Sequence, residues 1–132
     1  MQNNTAVAID SIKTAVEHLV SIDVDFDELG IAVIPLQDAI VDLTDSVEKY
    51  LSMFETKNKT NPVIGKKTEL TKDILIEQLN ETITTINTAE EYGLSSIAPK
   101  AMKMIKKNAD AVYAASVNLI VASIRYKAQQ NK

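Results

Sequence analysis

Three aspartates occupy alternate positions in Asp23-Val-Asp25-Phe-Asp27. That is the ligand spacing that opens a helix-loop-helix calcium loop, which also needs a glycine at its sixth position for the sharp turn and a bidentate glutamate at its twelfth. Counted from Asp23, those positions hold Glu28 and Ile34. The turn lacks its glycine and the cation its strongest ligand, so the pattern does not encode a calcium site. These carboxylates are expected on the solvated face of a helix or of a short break within one.

A second stretch, YGLSSIAPKAMKMIKK over residues 92–107, joins hydroxyls and lysines at the expected start of a helix. Free amides and the positive end of the helix dipole favour an anion there. Ser95, Ser96, Lys100 and Lys103 are therefore the candidate ligand-binding set, suited to a phosphate, a nucleotide or a carboxylate. The same residues also describe a capped helix with a solvated basic face of Lys100, Lys103, Lys106 and Lys107, which is the commoner use of such a pattern.

Few other residues have chemical potential. His18 is the sole histidine and there is no cysteine, so thiolate sites, disulfides and multi-histidine metal centres are excluded. A phospho-accepting histidine in a four-helix phosphotransfer domain, which this chain resembles in size and helix content, is followed a few residues on by Lys and Gly. Here Leu19, Val20 and Ser21 follow His18. No Gly-rich phosphate loop or Gly-x-Ser-x-Gly elbow occurs, and no enzymatic activity, metal or cofactor is expected.

The elements that must position these residues are helical. Steps of four and three from Ala8 give Ile12, Ala15, Leu19, Ile22, Phe26, Leu29, Val33, Leu36, Ile40, Leu43, Val47, Tyr50 and Phe54. This is helix periodicity of unusual length. Gly30 and Pro35 interrupt it without shifting its phase. The spacing predicts either one long helix kinked there, or two helices over about 5–22 and 34–56. A second apolar row, Val20, Val24, Ile31, Ile34 and Val41, predicts a second neighbour for this segment, in the bundle or in a subunit interface.

Residues 56–67 carry Asn-Pro and Gly turn signals and read as a connector. A third helix is expected from Thr68 or Thr71 to Tyr92, ahead of Gly93, with a strand within 82–88 as the alternative because threonine is frequent there. A fourth, capped by Ser95 or Ser96, runs to Gln129. Its segment 109–124 is apolar enough for a fully buried core helix and too polar and short for a membrane span.

The whole is expected to be one all-α domain over residues 1–132, an antiparallel bundle of three to four helices. Composition agrees, with 45% hydrophobic and 24% charged residues and only three Gly and three Pro. Residues 1–56 carry a net charge of −9 and residues 57–132 a net charge of +5. Halves of opposite sign attract one another within a fold or between subunits. A single arginine and an acidic N-terminal half argue against nucleic acid binding. The N-terminus shows no secretory leader, so a cytoplasmic location is expected. Lysine-, Ile- and Asn-rich usage suits an AT-rich genome, such as a low-GC bacterium or its phage.

The expected function is a small helical interaction protein that self-associates or binds a macromolecular partner. Immunity proteins, secretion partners and phage anti-defence proteins share this profile, without a motif in common with this chain. The candidate interface is Leu19, Phe26, Leu29, Val33, Leu36, Ile40 and Leu43, together with residues 112–124. The alternative is an oligomeric protein that binds or sequesters a phosphorylated small molecule such as a nucleotide.

Overall fold

The computed structural model describes residues 4–52 and 71–130 of the chain. Four long helices form the bundle: α1 (Asn4–Ser21), α3 (Ile34–Leu51), α4 (Lys72–Glu91) and α6 (Pro99–Gln130). Two single-turn helices, α2 (Phe26–Leu29) and α5 (Leu94–Ile97), lie between them. No strand occurs among the described residues.

Of the two expected arrangements around Gly30 and Pro35, the structure has the broken one. Asp25 is extended at the start of α2, and its carbonyl oxygen accepts from the amides of Glu28 and Leu29. Gly30 then takes a positive φ of 59° and leads into a 3-10 turn, Gly30–Val33. Pro35 falls in the first turn of α3, where its missing N–H costs nothing. All thirteen heptad positions from Ala8 to Tyr50 are buried despite the break. The apolar phase thus specifies a core that two separate helices share.

Three local expectations are resolved by hydrogen bonding. Thr71 caps α4, its hydroxyl accepting from the Ile74 amide at 3.3 Å. Residues 82–88 are helical throughout, and the hydroxyls of Thr82, Thr84 and Thr85 donate to the carbonyls of Gln78, Asn80 and Glu81 one turn back. This bonding places hydroxyls on a helix without unpaired polar groups. Gly93, at φ 87°, ends α4 as anticipated. Ser95 and Ser96, however, do not cap the long helix. They lie in α5, and α6 begins at Pro99 with the Ala98 carbonyl accepting from the Met102 amide.

Helix directions follow from side-chain contacts. Ser11 Oγ donates to Asp110 at 3.1 Å, His18 meets Ser116, and Asp23 pairs with Lys127, so α1 and α6 run in parallel. Asn108 donates to the Asp42 carbonyl and the Tyr126 hydroxyl to Glu28, so α3 runs against α6. Lys72 Nζ donates to the Ile22 carbonyl, which sets the start of α4 beside the end of α1. Neighbouring helices are therefore antiparallel in the pairs α1/α4 and α3/α6, and parallel in α1/α6 and α3/α4. A parallel α3/α4 pair requires a long connection, and residues 52–71 exceed the roughly two to eight residues usual between bundle neighbours. The expected connector over 56–67, like Phe54, lies outside the described residues.

Helix α6 departs from expectation in another respect. Met102, Ile105, Ala109, Val112, Ala115, Ser116, Leu119 and Ser123 face the core, but Tyr113, Val117, Val121 and Ile124 are exposed. The segment 109–124 is thus not a fully buried helix. Small residues let α1 and α3 approach one side closely, and no described element covers the other.

Candidate functional site

The acidic turn is a structural device. Asp23 forms an ion pair with Lys127 near the end of α6, and Glu28 accepts the Tyr126 hydroxyl at 2.9 Å. Asp25 and Asp27 are exposed. No group of three or more His, Asp or Glu side chains among the described residues is arranged to hold a metal ion. The turn and the last turns of α6 are therefore joined by two contacts that link the acidic half of the sequence to the basic one.

Both contacts titrate. The Lys127 ammonium, by hydrogen bond first and charge second, holds the Asp23 carboxyl below its ordinary value of 3.8. The Glu28 carboxylate, accepting the phenol proton, pushes Tyr126 above its ordinary 10.0. A depressed carboxyl stabilises above its unfolded value and loses that contribution as pH falls through its folded one. A raised phenol stabilises below its unfolded value and loses it as pH rises through the folded one. Amide exchange protection in the last turns of α6 should accordingly be flat between these limits. It should drop at the acid end, and Asp23→Asn should abolish the acid drop. An acid drop that persists in D23N would assign it to other carboxylates.

At the predicted anion site, the chain's own carboxylate is in place. Glu90 accepts from the Ser95 amide at 2.9 Å and from the Ser95 hydroxyl at 3.1 and 2.9 Å. An incoming anion would have to displace this carboxylate against its charge. Ser96, Lys100 and Lys103 are exposed. These four residues are close in sequence, and neither of the two cavities between α3 and α4 includes them.

His18 is equally committed. Ser116 is buried and donates its hydroxyl proton to the Tyr113 carbonyl at 2.6 Å. The 2.9 Å contact between His18 Nδ1 and Ser116 Oγ must then have the histidine as donor. A histidine that donates to a serine cannot act as that serine's base. The ring lies 5.5 Å from that of Tyr113, tilted by 43°, so the group knits α1 to α6.

The seven residues expected at an interface, Leu19, Phe26, Leu29, Val33, Leu36, Ile40 and Leu43, are all buried against the chain's own helices. They are core positions, because the heptad row is consumed by intramolecular packing. Of the second row, Val24 is buried, whereas Val20, Ile31 and Ile34 are exposed, Ile31 to 83%.

Two surfaces stand out that no described element covers. One is the apolar stripe Tyr113, Val117, Val121 and Ile124, at spacings of four, four and three, inside the expected surface 112–124. The other is a groove between the parallel helices α3 and α4. A cavity of about 720 Å³ there is floored by Val47, Leu51 and Ile76 and edged by Asp45, Glu48, Asp73, Glu77 and Glu81. It shares Leu51, Thr84 and Thr85 with a second, more apolar hollow of about 490 Å³ reaching Tyr50 and Tyr92. Burial, then the Glu90 charge, pushes the Tyr50 phenol up.

Sequence periodicity missed the groove because it arises from two helices far apart in the chain. The only available signal was the Asp73, Glu77 and Glu81 row at four-residue spacing. No helix among the described residues is long and apolar enough to cross a membrane. Comparison with protein-family models, curated proteins and solved structures gives no match.

Proposed function

We propose that this chain is a non-enzymatic helical interaction protein, acting by association with a macromolecular partner or a second copy of itself, as immunity, secretion-partner and phage anti-defence proteins do. The observation that carries this reading is the apolar stripe on α6. Four large apolar side chains, Tyr113, Val117, Val121 and Ile124, stay exposed at helical spacing in a chain whose thirteen described heptad positions are all buried. Single exposed apolar residues are ordinary, but an aligned set marks a face that another molecule covers. Helix-in-groove and helix-on-helix recognition both use such i, i+4 and i+7 anchors.

The test is native mass spectrometry with sedimentation velocity on wild type and on a Val117→Glu, Val121→Glu double variant. Wild type should carry a second copy or a retained polypeptide. The double variant should weaken that association about tenfold or more, as loss of central apolar anchors does, while keeping its helical circular dichroism. A monomer whose only added mass is a phosphorylated small molecule would replace this reading with the sequestering one. Unchanged association in the double variant would take the stripe out of it.

A further inference from the structure

We infer that copies of this chain associate head to tail, the first turns of α6 of one copy docking in the α3/α4 groove of the next. This inference rests on the self-association reading of the proposed function, but uses surfaces other than the apolar stripe.

The groove has an apolar floor and an acidic edge. Among the described residues, its lining holds five carboxylates and no lysine or arginine. Asp45, Asp73, Glu77 and Glu81 take part in no ion pair among the described residues. A groove of this sign and floor fits a helix face with cations at its margins and an apolar residue in its centre.

The chain carries such a face. Lys100, Lys103 and Lys107 are exposed on the side of α6 opposite the buried Met102, Ile105 and Ala109, and none is in an ion pair among the described residues. Met104 lies among them and is 52% exposed. Lys100 to Lys107 covers about 10 Å of helix, and Asp73 to Glu81 on the groove wall covers about 12 Å. The two rows are similar in length and opposite in sign, and each has an apolar residue within its span, Met104 on α6 and Ile76 on the groove wall.

Within one copy they do not meet. The lysine row faces away from the bundle, and the groove lies between α3 and α4. Two complementary surfaces on different sides of one molecule make a heterologous contact, which closes into a ring or extends into a chain. Asp45, Asp73, Glu77 and Glu81 on the groove and the lysine row on α6, in no ion pair among the described residues, are satisfied between neighbours.

The test is sedimentation velocity over a concentration series at low and high salt. Wild type is compared with a groove variant, Asp45→Lys with Glu77→Lys and Glu81→Lys, and a row variant, Lys100→Glu with Lys103→Glu and Lys107→Glu. Wild type should associate at low salt and weaken about tenfold or more at high salt, as exposed charge pairs are screened. Each variant alone should be monomeric, and mixing the two should restore association, because the native lysine row of one then meets the native groove of the other. Association indifferent to salt and to both variants overturns the inference. If V117E with V121E also abolishes that association, the proposed function survives its loss. A groove variant that loses thermal stability with unchanged mass shows the groove filled from within the chain, which overturns it as well. Wild type monomeric throughout overturns head-to-tail assembly and leaves a different macromolecule as the only partner.

Discussion

Leu43→Ala is expected to destabilise the fold by about 2–5 kcal/mol, the cost of emptying a fully packed leucine site. Leu43 has no exposed surface and sits midway along α3, where it faces the core with Leu36 and Ile40. Its removal loses the transfer free energy of the deleted carbons and leaves a cavity that helices held on several sides cannot close. Against a total stability of roughly 5–15 kcal/mol, this is a large fraction. Leu19→Ala, equally buried on α1, should behave alike. Urea unfolding should show midpoints shifted well below wild type with slopes nearly unchanged. The comparison also discriminates between two uses of the heptad row. If these leucines lined an interface between molecules, the variants would change association and leave the monomer's unfolding midpoint in place. Lost stability at constant oligomeric state assigns them to the core.

That confusion of core with interface shows what periodicity can and cannot convey. The phase from Ala8 to Tyr50 is legible because burial on one face leaves a repeat in residue type, and it survives Gly30 and Pro35 because α1 and α3 line the same core. Which molecule covers that face is not encoded in the repeat, since an apolar row looks the same to a neighbouring helix and to a partner. Helix direction is similarly hidden. Short turns would have imposed antiparallel neighbours throughout, and only contacts such as Ser11 with Asp110 reveal that α1 and α6 are parallel.

The carboxylate beside the expected anion site was hidden for a different reason. Ser95, Lys100 and Lys103 are close in sequence, which made a pocket plausible, but the partner of Ser95 is Glu90, at the end of the preceding helix. A carboxylate five residues upstream is invisible to a scan for cationic residues. The groove was missed by the converse limit. Its walls, Asp45 to Leu51 and Asp73 to Thr85, become one surface only when α3 and α4 are laid side by side.

Gly30→Ala is expected to cost about 1–3 kcal/mol, the range for a residue forced into a sparsely populated backbone region. At φ 59° and ψ −127°, Gly30 lies where an L side chain rarely goes, and this ψ is far from the left-handed helical well near +47°. Asn, which tolerates that well, should therefore rescue nothing at this position. Crowding is not the cause, because a Cβ built on Gly30 meets nothing within 4 Å. The whole cost is backbone conformation, which separates this substitution from a packing defect. Gly30 is also the point at which α2 ends and the chain turns so that Leu29 and Val33 both reach the core. A variant that relieves its strain by shifting the turn would expose one of them. The expected outcome is a melting temperature several degrees lower for both G30A and G30N, with faster amide exchange confined to residues 26–33. Full stability in G30N alone would place Gly30 in the left-handed well instead, and equal stability in all three proteins would show that the turn re-forms without glycine.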